Sequence, residues 1–100
     1  MNRNKLRRLR QQLEALRQRG GVKARELKNL ATALGRKRHK RGSEPTWVSD
    51  IFPDSRPVSI PDHPGDLNKH TARGILDQLE GDLERLEGIY SKSKGGNPDE

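Results

Sequence analysis

The chain has 100 residues, a formal net charge of +7 at pH 7 and a mean hydropathy of −1.13. This length allows one domain at most, and the 28% of hydrophobic residues can build only a small core. The lack of cysteine excludes disulfides and thiolate metal sites, and no apolar run approaches the ~18 residues of a membrane span. We therefore expect a soluble, cytoplasmic protein with an ordered centre and loose ends.

The charge is divided unevenly along the chain. Residues 1–41 hold 15 Lys and Arg against 2 Asp and Glu, a net of +13, whereas residues 42–100 hold 6 against 12, a net of −6. Lys and Arg neutralise phosphates and release their counterions, so a basic half is typical of a protein that binds polyanions. A basic surface that only aids solubility is the alternative interpretation.

A leucine stripe predicts the first helix, over residues 4–18. Leu6, Leu9, Leu13 and Leu16 recur at spacings of three and four, and Gly20 follows as a stop. The stripe covers barely two heptads, too few for a coiled coil alone, so the helix needs a partner surface. We assign residues 1–20 as a basic helical extension.

The second predicted helix runs from Lys23 to Leu34, with its apolar residues on one face and Gly35 as its stop. Residues 36–41 follow, and none has an apolar side chain. Such a charge run is typical of a solvated loop. Between two elements it can instead form an edge strand whose cations discourage wrong pairing.

Two further strands and a last helix complete the predicted elements. Residues 46–49 are rich in β-branched and aromatic side chains, and Val58 and Ile60 alternate with a polar residue. The last helix carries an apolar stripe on an acidic background, and residues 91–100 have nothing to bury, which predicts a disordered tail. Residues 21–90 then form the α+β domain. The stripe comprises Ile75, Leu76, Leu79, Leu83, Leu86 and Ile89.

The basic first helix and the acidic last helix both carry leucine stripes. Opposite charges beside a short apolar seam favour pairing of the two helices. We predict that Leu6, Leu9, Leu13 and Leu16 pack against Leu79, Leu83 and Leu86. The pairing can form within one chain or between two, so a helix-mediated dimer is one of the alternatives.

Four short motifs in fixed order resemble the HicA-type toxins of bacterial toxin–antitoxin pairs. The motifs are Val22-Lys23-Ala24-Arg25-Glu26-Leu27, Arg41-Gly42-Ser43-Glu44, Val58-Ser59-Ile60-Pro61-Asp62-His63, and Asp66-Leu67-Asn68-Lys69-His70-Thr71-Ala72-Arg73-Gly74-Ile75-Leu76. The resemblance implies an αβββα sandwich like that of double-stranded-RNA-binding domains, with both helices on one sheet face. It also implies mRNA as a partner, a HicB-like antitoxin as another, and endoribonuclease activity.

The catalytic position departs from the family pattern. HicA relatives usually continue Gly-Ser-His, and that His is catalytic, whereas this chain has Glu44. Glu44 could act as a base, or it could simply solvate a hairpin edge. His39 and His63 are the other catalytic candidates, because an imidazole suits proton transfer at neutral pH. His70 stands where the family usually has Gly.

Seven cations are the RNA-binding candidates. Lys69 and Arg73 open the last helix, where the helix terminus favours anions. Trp47 either stacks on a base or belongs to the core; as the only Trp of a lean domain it fits the core better. No metal or nucleotide motif is present, so we expect no cofactor. The candidates are Arg36, Lys37, Arg38, Lys40, Arg41, Lys69 and Arg73.

Three functional interpretations follow from the sequence. The first is a HicA-like component that binds mRNA and has altered or lost ribonuclease activity. The second is a non-catalytic basic RNA-binding protein. The third is an interaction protein that assembles through its leucine-striped helices, and a weak response of binding to salt would distinguish it from the other two.

Overall fold

The computed structural model describes residues 2–39, 45–62 and 64–95, with side chains through Tyr90. The described chain is an α+β fold of three helices and one three-stranded antiparallel sheet. The elements are α1 (Arg3–Gln18), α2 (Ala24–Ala33), β1 (Arg36–His39), β2 (Thr46–Ser49), β3 (Val58–Ser59) and α3 (Lys69–Gly95).

Helix α1 begins at a capped terminus and ends before two glycines. The Asn2 side chain accepts a hydrogen bond from the Lys5 backbone N–H at 2.8 Å, which satisfies one of the free N–H groups of the first turn. After Gly20 the chain reverses at Gly21, whose φ of +70° is a left-handed conformation that favours glycine. This turn directs α2 back across the molecule.

Helices α1 and α3 form an antiparallel pair around the predicted leucine seam. Leu13, Leu79 and Leu83 are fully buried, and the remaining seam leucines are 4–5% exposed. Arg10 binds Glu80 and Glu87, whereas Arg17 binds Asp77 and Glu80. The later residue of α1 therefore contacts the earlier residues of α3, which shows that the two helices are antiparallel. The predicted packing is confirmed, and it forms within one chain.

The sheet is a meander in the order β1–β2–β3. Arg36 pairs with Ser49 and Arg38 with Trp47, so these side chains share the face that lies under α2 and α3. The opposite face carries Lys37, His39, Thr46, Val48 and Ser59, all exposed or half-buried. The basic run is therefore a strand over Arg36–His39, and its side chains alternate between the two faces.

Arg36 is buried and links the sheet to α3. Its guanidinium binds Asp82 through two bonds of 2.6 and 3.0 Å, with both side chains under 5% exposed. Its other hydrogens go to Trp47 O, Arg56 O and Ser55 Oγ. Arginine has five N–H donors, and all five have an acceptor here. A charge buried this deeply is stable only with such complete pairing.

Helix α3 is longer than the sequence pattern predicts. It continues to Gly95, so the first five residues of the predicted disordered tail, 91–95, are helical, and residues 96–100 lie outside the described part of the chain. A stripe of apolar residues can locate a helix only as far as the helix has something to bury. Among the described residues, no helix has the length and apolar character needed to cross a membrane.

Candidate nucleic-acid interface

Several connections meet at one end of the sheet. The backbone N–H of Ile60 donates to the carbonyl of Pro45, which joins the β3 exit to the turn between β1 and β2. Leu67 N–H donates to Val22 O at 2.8 Å, which joins the segment before α3 to the segment before α2. Lys28 of α2 and Arg38 of β1 both bind Asp62, so the first half of α2 lies beside the end of the sheet where β1 ends and β2 begins, and the start of α3 lies next to it.

Cations from four separate parts of the chain lie at this end. We call them the sheet-end patch. Two come from α3, two from α2, one from the residue preceding α2, and one from β1. Its members are Lys23, Arg25, Lys28, Arg38, Lys69 and Arg73.

Two carboxylates lie within the sheet-end patch and neutralise part of it. Asp62 is shared by Lys28 and Arg38, and the hydrogen bond from Lys28, followed by that from Arg38, lowers the pKa of Asp62. Asp66 pairs with Lys23 at 3.0 Å. Each carboxylate faces cations already positioned to hold a negative group.

Lys69 and Arg73 are the cations that α3 contributes to the sheet-end patch. Both are exposed, and neither forms an ion pair with any described residue. They lie in the first two turns of α3, where the helix dipole favours anions, and the Asn68 side chain accepts a hydrogen bond from the His70 backbone N–H at this terminus. Their predicted position at the start of the last helix is confirmed.

A cavity of about 460 Å³ lies beside these two cations. Its floor is aliphatic and its rim is cationic, with Arg17 and Arg19 facing Lys69 and Arg73 across it. Arg17 is engaged by Asp77 and Glu80, and Arg19 by Glu26. The floor is formed by Leu16, Val22, Leu67, Ala72 and Leu76.

The structure divides the predicted basic run into three groups. Arg36 is buried against Asp82, so its prediction as an RNA contact is wrong: all of its donors are occupied inside the protein. Lys37 lies on the outer sheet face, 3.5 Å from Asp50, and only Arg38 reaches the sheet-end patch. Lys40 and Arg41 lie outside the described residues.

Most of the catalytic candidates fall outside the described residues. Glu44 and His63 belong to those segments. His39 is half-buried at the end of β1 on the outer sheet face, opposite Thr46. His70 is exposed in the first turn of α3. Trp47 is 8% exposed within the core cluster, so its prediction as a core residue is confirmed.

Sequence reasoning missed the cations contributed by α2 and the residue before it. Lys23, Arg25 and Lys28 are scattered among apolar residues, and no charge run marks them. The available signal was their place in the first half of a helix whose apolar face is buried, since the other face must then be at the surface. Only the fold brings them beside Arg38 and α3.

In the described part of the chain, no three or more His, Asp or Glu side chains form a group that could hold a metal ion. Comparisons with protein-family models, with curated proteins and with solved structures find no match to this chain.

Proposed function

We propose that the protein is a HicA-like component of a toxin–antitoxin pair and binds mRNA through the sheet-end patch. The observation that carries the proposal is the convergence of cations from α2, β1 and α3 at the end of the sheet that holds the β1–β2 turn. The motif Arg41-Gly42-Ser43-Glu44, which is part of the resemblance to the family, lies between β1 and β2 in the sequence, outside the described residues.

The electrostatics of the patch favour a phosphate backbone. An RNA strand offers a regular row of negative charges, and each cation that meets a phosphate releases counterions. Lys69 and Arg73 can meet phosphates directly, since they have no described carboxylate to give up. Lys28 and Arg38 share one carboxylate, so a phosphate near Asp62 still finds a net positive site.

The order of elements supports an αβββα sandwich like that of double-stranded-RNA-binding domains. In this interpretation α2, β1, β2, β3 and α3 form the sandwich, with both helices on one face of the sheet. Helix α1 is then an addition that packs on α3 through the leucine seam. The cations at the start of α3 would meet RNA phosphates in the way that the domain class uses lysines at this position.

Ribonuclease activity is proposed to be weak or lost. A carboxylate at position 44, flanked in sequence by Lys40 and Arg41, would stay ionised and would repel the phosphate that a base must approach. A general base typically contributes ~10²–10⁴ of rate. His39 is directed to the outer sheet face, opposite to the face that carries Arg38, which makes it a poor substitute.

The two alternative functions stand differently. A non-catalytic RNA-binding protein would use the same patch, and it differs from the first proposal only in lacking cleavage. Assembly with a partner through the leucine stripes is not favoured, because these leucines are already buried within one chain and expose little apolar surface. Ile89, at 46% exposed, is the only large apolar side chain of the predicted stripe that remains at the surface in the described residues.

The test of RNA binding compares two variants with equal loss of charge. Lys69→Gln/Arg73→Gln removes the two cations that α3 contributes to the patch, neither of which forms an ion pair with a described residue. Lys37→Gln/Arg56→Gln removes two charges from the outer sheet face and the β2–β3 connection. Fluorescence anisotropy with a labelled RNA, titrated at several salt concentrations, gives the affinity and its salt slope.

The patch variant should bind more weakly, and its slope of log K against log salt should flatten by about 1.4, or 0.7 for each lost contact to a single strand. The control variant should retain the wild-type slope. An equal loss of RNA affinity in both variants, or an affinity of the wild type that does not change with salt concentration, would refute a localised RNA site.

A further inference from the structure

A second cationic cleft lies at the other end of the molecule, between the beginning of α1 and the end of α3. Its volume is about 470 Å³. Because α1 and α3 are antiparallel, this cleft and the sheet-end patch lie towards opposite ends of α1, whose 16 residues span about 24 Å. The cleft is lined by Arg3, Leu6, Arg7, Arg10, Gln11, Glu87 and Tyr90.

The charges at the start of α1 oppose the helix dipole. Arg3, Lys5, Arg7 and Arg8 lie in the first six positions, and the first turn has no acidic residue. Cations near a helix N-terminus are unfavourable, because that end already carries partial positive charge. Arg3 and Arg7 form no ion pair with any described residue that would offset this cost. A local rule broken without compensation marks a functional position.

The single carboxylate that lines the cleft, Glu87, is paired with Arg10. Glu87 accepts hydrogen bonds from the Arg10 guanidinium at 2.8 and 3.4 Å, and Arg10 also binds Glu80. The hydrogen bond to Glu87, with that to Glu80, raises the pKa of Arg10, so this cation stays charged. An anion entering the cleft therefore meets two arginines without a described ion pair, Arg3 and Arg7, and one carboxylate, Glu87, which shares Arg10 with Glu80 and Glu14.

Tyr90 adds an aromatic surface to the cleft. It is half-buried, with part of its side chain packed on the core, and it is the only Tyr of the chain. Aromatic rings beside cations are the means by which proteins hold single-stranded nucleic acids, because every base has a face that stacks and every nucleotide has a phosphate. A volume of this size accommodates one nucleotide.

We infer that this cleft is a second RNA-binding site, which holds one unpaired nucleotide by its phosphate at Arg3 and Arg7 and by its base against Tyr90. The inference rests on the proposed function, because the ligand is the same RNA strand that the sheet-end patch binds. A stacked strand advances about 3.4 Å per nucleotide, so a strand that occupies both sites needs about seven nucleotides or more. Binding is then bipartite and depends on length.

The experiment uses the full chain and two single-stranded RNAs, one of about 20 nucleotides and one of about 5, to separate one-site from two-site binding. Arg3→Gln/Arg7→Gln removes the two free cations of the cleft. Lys5→Gln/Arg8→Gln removes the same charge from the same helix, but from side chains that do not line the cleft. Tyr90→Leu removes the aromatic ring and keeps an apolar side chain. Tyr90→Phe is its control, because it keeps the ring and removes only the hydroxyl group.

The cleft variant should bind the long RNA roughly tenfold more weakly, with a salt slope flatter by about 1.4, and should bind the short RNA like the wild type. Tyr90→Leu should weaken long-RNA binding and Tyr90→Phe should not. Equal losses in the two α1 double variants would overturn the cleft while leaving the sheet-end patch in place. If the wild type binds neither RNA, the proposed function fails and this inference fails with it.

Discussion

The buried pair of Arg36 and Asp82 allows the sharpest prediction about stability. Asp82→Asn keeps the size of the side chain and removes its charge, which leaves the Arg36 guanidinium charged in the interior. Breaking one partner of a buried ion pair costs about 3–5 kcal/mol. A domain of 100 residues has a free energy of unfolding of about 5–15 kcal/mol, so this change removes a large part of it.

The assays are urea unfolding, with the midpoint and slope fitted for each variant, and thermal melting, both followed by circular dichroism. Each 1 kcal/mol shifts the melting temperature of a chain this size by about 4–8 °C, so Asp82→Asn should melt more than 12 °C below the wild type. Asp50→Asn is the matched control, because its partner Lys37 is exposed and at 3.5 Å, and surface pairs contribute about 0–1 kcal/mol.

A double variant tests the cause of the loss. Arg36→Met/Asp82→Leu removes both charges and should be more stable than Asp82→Asn, although the carbonyls of Trp47 and Arg56 lose a donor. An Asp82→Asn protein within 1 kcal/mol of the wild type would refute the burial of Arg36.

Three further predictions concern the seam, its ion pairs and catalysis. Leu13→Ala should lower the free energy of unfolding by about 2–5 kcal/mol in urea titrations, because Leu13 is fully buried, whereas Ala15→Ser on the exposed face of α1 should change little. Hydrogen bonds from Arg10, then Arg17, lower the pKa of Glu80. The pairing therefore stabilises the fold fully at a pH above the ordinary pKa of Glu, and this stabilisation is lost as the pH falls through the lowered pKa. The stability gap between wild type and Glu80→Gln should therefore shrink in melts from pH 7 down to about 3; a gap independent of pH would contradict it. Expression of Glu44→His should arrest growth and speed mRNA decay, whereas expression of the wild type should not. If the wild type is toxic and His39→Ala abolishes the toxicity, His39 is the catalytic residue and this prediction is wrong.

The helices and their pairing could be predicted from the sequence. Leucines at spacings of three and four mark a helix face, and the opposite charges of α1 and α3 indicate that the two faces meet. Strand β2 was predicted over the same residues, 46–49, because β-branched and aromatic side chains concentrate there. The helix faces and strand β2 depend on neighbours in the chain, and the pairing of α1 with α3 follows from the complementary charges of the two helices.

The division of the basic run could not be predicted in the same way. Alternation in a strand separates Arg36 and Arg38 from Lys37 and His39, but a run without apolar residues gives no sign of which pair faces inward. The burial of Arg36 depends on Asp82, 46 positions away on α3. The contributions of Lys23, Arg25 and Lys28 likewise depend on the packing of α2 beside the sheet.

The most direct test of RNA binding at the sheet-end patch is the change in backbone amide NMR shifts when single-stranded RNA is added to the ¹⁵N-labelled protein. The account predicts the largest changes at the starts of α2 and α3, near Lys23 to Lys28 and Lys69 to Arg73, and at Arg38. Changes confined to the outer sheet face, at Lys37, Val48 and Ser59, or no change at all, would contradict it.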